Sequence, residues 1–249
     1  MSLAFIDNAS LSFGNKVVLR RCSLEIKEGA ITCLIGLSGA GKSTVLRLLN
    51  GLRMPDVGRV TVMGVDLMTL SKRDLIDFRQ RIGFAFQFSA LFDSMTVGDN
   101  VALPLREHTR LSKTDIDRIV NRTLDSVGLL QAREQMPAEL SGGMLKRAGF
   151  ARAVVNNPRL VLYDEPTTGL DPIITHVLTD TIKRLRQQLD GTAVVVSHDL
   201  DSIYAMGDYI AMLFEGAIIE YGTVEEVRRS VNPIVQQFLQ GSEVGPIPI

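Results

Sequence analysis

An α/β fold with a mainly parallel sheet covered by helices is predicted by three observations. Short β-branched runs bounded by glycine alternate with helical periodicities along the chain. Three of those runs lead directly into polar or glycine-rich stretches: Ala30–Ile35 into the loop Gly36–Ser43, Leu160–Tyr163 into Asp164-Glu165, and Thr192–Val196 into Ser197-His198. Ligands of such sheets collect at the carboxyl ends of the strands. The octapeptide Gly36-Leu37-Ser38-Gly39-Ala40-Gly41-Lys42-Ser43 follows one of these strands and precedes a helical pattern, which is the context of a phosphate-binding loop.

The elements follow in order. The first thirty residues and the stretch Gly58–Val65 read as short strands with hairpin-like turns, so an antiparallel subdomain is expected beside the main sheet. The apolar run Ala30–Ile35 is a buried strand that feeds the loop and then a helix from Lys42 to about Asn50. Ile82–Phe86 is a further strand. A mostly helical insertion begins after Gln87 and carries Ser141-Gly142-Gly143, whose helix completes a helical subdomain of about residues 88–156. Within it, Ser112–Val127 puts Ile116, Ile119, Val120, Leu124 and Val127 on one stripe. Pro172–Leu189 does the same with Ile174, Val177, Leu178, Thr181, Ile182, Leu185 and Leu189, with Pro172 suited to the first turn. The expected organisation is one domain over residues 1–241 and an extended tail over 242–249.

Composition limits the function classes. Lys plus Arg (27) balance Asp plus Glu (28), so no global field favours nucleic acid or anionic lipid, and no nucleic-acid partner is expected. Cys22 and Cys33 lie in strand-like apolar runs without metal-type spacing and read as core residues of a reducing compartment. The first residues lack the basic and apolar regions of a secretory signal, and no stretch approaches the ~20 apolar residues of a membrane span. The chain is expected to be soluble or peripheral and to meet a membrane only through a partner.

The glycines of the loop let its backbone wrap phosphates, with Gly36, Ser38, Gly39, Ala40 and Gly41 supplying the wrap. Lys42 offers a point charge to the β- and γ-phosphates, Ser43 a magnesium ligand, and Thr44 a hydroxyl near the α-phosphate. Asp164 closes an apolar strand, where a carboxylate calls for a cation; magnesium fits, with simple capping of the strand end as the alternative. Glu165 is placed to act on the water attacking the γ-phosphate, as general base or orienting group. His198 is assigned a phosphate or water contact at the end of its strand, against a purely structural role. Gln87 is a candidate for both magnesium and the attacking water, or an ordinary strand-end amide. Phe13, before Gly14-Asn15, is a candidate to stack on adenine, or a core ring. His108 and His176 read as surface or packing residues. Ser141-Gly142-Gly143 is a second anion site, because a Ser-Gly-Gly turn opening a helix presents backbone N–H groups and the positive end of the helix dipole.

The order Phe13, glycine loop, Gln87, Leu140-Ser141-Gly142-Gly143-Met144, Asp164-Glu165, Gly169-Leu170-Asp171, His198 resembles the ATP-binding cassette (ABC) ATPases over nearly the whole chain. The resemblance implies a P-loop NTPase fold with a mixed RecA-like core, an antiparallel β-subdomain and a helical subdomain. It also implies ATP and Mg2+ as cofactors and a head-to-tail homodimer. Ser141, Gly142 and Gly143 then bind the γ-phosphate held by the opposite subunit, and Asp171 couples the two sites. Met144 departs from the usual glutamine. That departure, with Asn100–Thr109 and Gly245-Pro246-Ile247-Pro248, is similar to the ATPases of phospholipid transporters that work with MCE-domain proteins, the Mla type. The resemblance implies an integral permease of the MlaE type, an MCE-domain protein like MlaD, often a STAS-domain protein like MlaB, and a place on the cytoplasmic face of the inner membrane. The alternatives are an ATPase of a small-solute importer, for amino acids for instance, and a non-transport ABC regulator such as a cell-division ATPase.

Overall fold

Two residues in left-handed conformation shape the first hairpin. In the computed structural model, which describes residues 1–247, strands β1 (Ser2–Phe13) and β2 (Lys16–Lys27) pair antiparallel over 12 residues each. They are longer than the short strands expected. Asn8 (φ 47°) and Arg21 (φ 46°) sit at irregularities of the ladder, and the register shift between Ile6 and Ala9 breaks the alternation that marks a strand in sequence. All of β3 (Ile31–Ile35) is buried, and it leads through the glycine loop into α1 (Lys42–Leu49). β4 (Val57–Val62) pairs antiparallel with β1, and β5 (Val65–Asp66) with β4, giving the order β2-β1-β4-β5.

Contacts divide the chain into two units, Met1–Ser71 with Val194–Ile249, and Lys72–Ala193. Pro248 and Ile249, the end of the expected tail, lie outside the described residues. The second unit contains α2 (Lys72–Arg79), β6 (Ile82–Ala85), α3 (Val97–His108), α4 (Lys113–Ser126), α5 (Gly142–Val154), β7 (Leu160–Asp164) and α6 (Pro172–Leu189). β6 and β7 are parallel. Ser112 caps α4 by accepting from the Asp115 amide, and Asp171 caps α6 with Pro172 behind it, so both helices start where the sequence predicts. Leu178, Thr181, Ile182 and Leu185 are buried along α6, whereas Val177, on the predicted stripe, is exposed.

The unit boundary falls inside β8 (Thr192–Val196), all five residues of which are buried. The first unit then continues with α7 (Leu200–Met206), β9 (Tyr209–Phe214), β10 (Ala217–Thr223), α8 (Val224–Arg228) and α9 (Pro233–Gln240). Its second sheet runs β10-β9-β3-β8, with β9 parallel to β3 and β10 antiparallel to β9. The core is therefore mixed. Cys22 and Cys33 are free and fully buried, and burial pushes their thiols up to about 11 and about 12. At the end of α9, Gln237 accepts from the Ile247 amide at 2.7 Å and donates to the Ile247 carbonyl at 3.3 Å, which fastens the tail through its backbone.

Candidate nucleotide-binding site

In the first unit, β3 carries the chain into a loop that only glycine allows. Gly36 has φ +143°, and a Cβ there would lie 2.2 Å from the Leu213 carbonyl oxygen of β9. Gly41 (φ +107°) opens α1 with no side-chain cap and no acidic residue in the first turn, an arrangement whose positive helix end is able to take an anion. Lys42 turns back into the loop: its Nζ donates to the carbonyls of Gly36 (2.8 Å) and Leu37 (3.0 Å), and it is only 8% exposed. That places a cation inside the curve that Ser38, Gly39 and Ala40 describe. Ser43 is half-buried and Thr44 buried in the first turn of α1. Phe13 is not a core ring. It ends β1, is 38% exposed, and has the Arg53 guanidinium 5.0 Å from its centroid. His198 follows β8 and is exposed, after a buried Ser197 that accepts from the Asp199 amide.

In the second unit, α5 organises the site. Ser141 is its N-cap and accepts from the Met144 amide at 3.3 Å. Gly142 is exposed. Gly143 is buried, and a Cβ on it would lie 2.6 Å from Cγ2 of Ile174 on α6, so close packing of the two helices independently requires glycine there. Asp171 accepts from the amides of Ile173 (2.9 Å) and Ile174 (3.0 Å), which gives it a local capping role. Asp164 ends β7, and Glu165 follows in left-handed conformation (φ 49°) with its carboxylate accepting from Thr168 Oγ1 at 3.0 Å. Gln87 is half-buried just past β6, between the exposed rings of Phe86 and Phe88.

Sequence reasoning missed the residues that hold these loops. Lys146 on α5 donates to the backbone carbonyls of Gln87 and, at 3.4 Å, of Glu165. Burial depresses its pKa, while the Glu165 and Asp164 carboxylates act to raise it. Arg152, further along α5, donates to the carbonyls of Ser89 (2.8 Å) and Ala90 (2.6 Å), the two left-handed residues after Phe88. The fully buried Asn100 ties down the next stretch by donating to the carbonyls of Phe92, Met95 and Thr96. The available signal was composition. Small residues surround the charges in Gly142–Val154, and a basic residue on such a closely packed helix must find acceptors. His176 faces Asp180 across 3.4 Å on exposed helix surface, and His108 is exposed at the end of α3.

A glycine loop curled around a buried lysine in the first unit, and a buried strand ending in Asp164 and followed by Glu165 in the second, are the marks of a nucleotide-binding α/β cassette. The ABC transporter family matches over residues 19–168, and the chain belongs to that family. It is 42% identical over 246 residues, 99% of this chain and 93% of the relative, to the intermembrane phospholipid transport system ATP-binding protein MlaF of Haemophilus influenzae. It is 40% identical over 242 residues, 97% of this chain and 70% of the relative, to the probable ribonucleotide transport ATP-binding protein mkl of Mycobacterium leprae. Among solved structures, a dimeric ATP-binding cassette in a post-hydrolysis state bound to ADP and Pi matches 89% of this chain and 98% of its own, with TM-score 0.81 and 30% identity. The cbiO1 protein of Clostridium perfringens, part of the ABC transporter complex cbiONQ, matches 96% and 95% with TM-score 0.85 and 25% identity. The chain is an ABC-type ATPase.

Proposed function

We propose that the chain powers the movement of phospholipids between membranes, as a head-to-tail homodimer beneath an integral permease of the MlaE type. An MCE-domain protein like MlaD completes the transporter, and a STAS-domain protein like MlaB binds the ATPase. The observation that carries this reading is 42% identity to a phospholipid transport ATPase over 99% of the chain. No helix among the described residues is long and apolar enough to cross a membrane, so work at the cytoplasmic face of the inner membrane requires the permease. A groove of about 530 Å³ in the second unit suits that docking. Ile76, Phe84, Phe86, Phe92, Leu103 and Pro104 line it, with Arg79, Glu107 and Arg152 among its polar residues.

In this reading Lys42 and the loop amides bind the β- and γ-phosphates of ATP, and Phe13 stacks on adenine. Ser141, Gly142 and Gly143 bind the γ-phosphate held by the partner subunit, with Asp171 beside them. Glu165 accepts a proton from the attacking water, and Gln87 and His198 orient that water and the phosphate. The candidate metal ligands are the Ser43 hydroxyl, the Gln87 amide and the Asp164 carboxylate. All offer oxygen, and no group of three or more His, Cys, Asp or Glu able to hold a metal by themselves occurs among the described residues. Such a donor set fits Mg2+, which binds through few carboxylates together with substrate phosphates and neutralises their charge. ATP closes the homodimer and hydrolysis releases it.

The test is to tag the chain, extract its membrane complex in detergent, and identify the copurifying proteins and lipids. A permease together with an MCE-domain protein and phospholipid is expected. Recovery with a small-solute importer and no MCE-domain protein would overturn the phospholipid assignment.

A further inference from the structure

We propose that Lys146 is a positioning residue for hydrolysis, tying the Gln87 loop and the Glu165 turn to the helix that Ser141 opens. The proposal rests on the hydrolytic roles given above to Gln87 and Glu165. Three elements meet at one ammonium group. Its Nζ donates to the Gln87 carbonyl just past β6 and to the Glu165 carbonyl just past β7, while its own backbone lies in the second turn of α5. The side chain is 8% exposed. A neutral side chain of similar length would fill the same space without desolvating a charge, so what the lysine adds is its directed, charge-assisted donors.

The other contacts of this helix face serve packing of one loop. Gly149, three residues on, gives the close approach of Ser89, where a Cβ would lie 3.2 Å from the Ser89 Cβ, and Arg152 holds the Ser89 and Ala90 carbonyls. Lys146 differs because it also reaches Glu165. Glu165 is left-handed at φ 49°, a conformation that a non-glycine residue keeps only when its surroundings fix it. Thr168 holds the carboxylate through Oγ1 and donates its amide to the carbonyl at 3.4 Å, and Lys146 joins it on that carbonyl from outside the turn. The Glu165 turn is closed locally by Thr168, and Lys146 is the side chain that links it to the Gln87 loop, so a shift of that loop reaches the backbone of the general base through Lys146. Lys146 touches neither water nor phosphate in this role.

The test measures steady-state ATP hydrolysis, thermal melting and ATP-driven dimerisation of the full chain. Lys146→Met is expected to lower kcat about tenfold or more, in line with the loss of charge-assisted hydrogen bonds, with KM for ATP changed less than about twofold. Lys146→Arg, which keeps a cation and its donors, is expected to recover most of the loss. In the Glu165→Gln background, Lys146→Met is expected still to form the ATP-bound dimer on gel filtration, because the glycine loop and Ser141 are untouched. Wild-type kcat in Lys146→Met, a loss confined to KM, no recovery in Lys146→Arg, or failure of the double variant to dimerise would each overturn the proposal. If Lys146→Met does not fold, Lys146→Gln is judged by the same kcat criterion. Glu165→Gln alone, run in parallel, separates the two readings. Unchanged turnover there removes the hydrolytic assignment and this proposal with it, whereas a large loss there beside an unaffected Lys146→Met removes this proposal alone.

Discussion

Gly143 is proposed above to bind phosphate, and the structure gives it a separate, packing reason to be glycine that can be tested by itself. In Gly143→Ala the new Cβ falls 2.6 Å from Ile174 Cγ2, well inside contact distance and against a β-branched side chain that cannot swing away. Overpacking of this kind costs about 1–3 kcal/mol. Replacing glycine by alanine in a helix returns up to about 1 kcal/mol, and less near the N-terminus, where Gly143 lies. The clash wins, leaving the variant about 1 kcal/mol less stable. For a chain of this size that lowers the melting temperature by roughly 2–4 °C. Ile174→Ala removes the obstructing methyl, so the Gly143→Ala and Ile174→Ala changes should couple by about 1 kcal/mol in a thermal-unfolding double-mutant cycle. A Gly143→Ala variant that melts at or above wild type, or strict additivity of the two changes, would refute the packing argument.

Glu165→Gln keeps an acceptor for Thr168 Oγ1, so stability should change by less than about 1 kcal/mol while phosphate release falls about 10²–10⁴-fold and ATP-bound dimer accumulates; unchanged turnover is the contrary result. Asp171→Ala removes the acceptor of the Ile173 and Ile174 amides, and should cost about 1 kcal/mol in chemical denaturation. An unchanged midpoint would show that the cap contributes nothing. Gln237→Ala removes the side chain that holds both backbone groups of Ile247, and should speed cleavage after the exposed Glu243 by a glutamate-specific protease. Equal cleavage rates would mean that the tail is held elsewhere.

The legible parts of this chain are those whose causes are local. α6 was readable to its ends because Asp171 and Pro172 start it and the apolar spacing runs to Leu189. The glycine loop was readable because positive φ at Gly36, Gly39 and Gly41 leaves almost no alternative to glycine. β1 and β2 were underestimated because Asn8 and Arg21, side-chain-bearing residues in left-handed conformation, interrupt the alternation. β9 was not predicted although its Ile210–Leu213 core is buried. What anchors the start of its partner β3, the Asp208 carboxylate on the Ile31 amide, is 177 residues away in sequence. Among the candidate site residues, Lys42, Asp164 and Glu165 are singled out by their motifs, whereas Lys146 is not. Its acceptor on Gln87 lies 59 residues away, and a lysine near the start of a helix reads by default as solvated.

The helix starts themselves argue for where phosphate is received. α3, α4 and α8 place Asp99, Asp115 and Glu226 in their first turns, where a carboxylate satisfies the positive end of the helix and repels an incoming anion. α1 and α5 place no acidic residue there, and neither is capped by one: α1 begins at Gly41, and α5 at Ser141, whose hydroxyl accepts from the Met144 amide at 3.3 Å. The cap contact does not involve the side chain of Met144. What position 144 supplies to the cap is its backbone N–H, which methionine carries as well as glutamine does. Neutral helix starts at both glycine-rich motifs are what phosphate binding at a helix N-terminus requires; α9 also starts without an acid, but there Asn232 accepts from the Ile234 amide and Pro233 carries no N–H, so fewer donors remain for an anion.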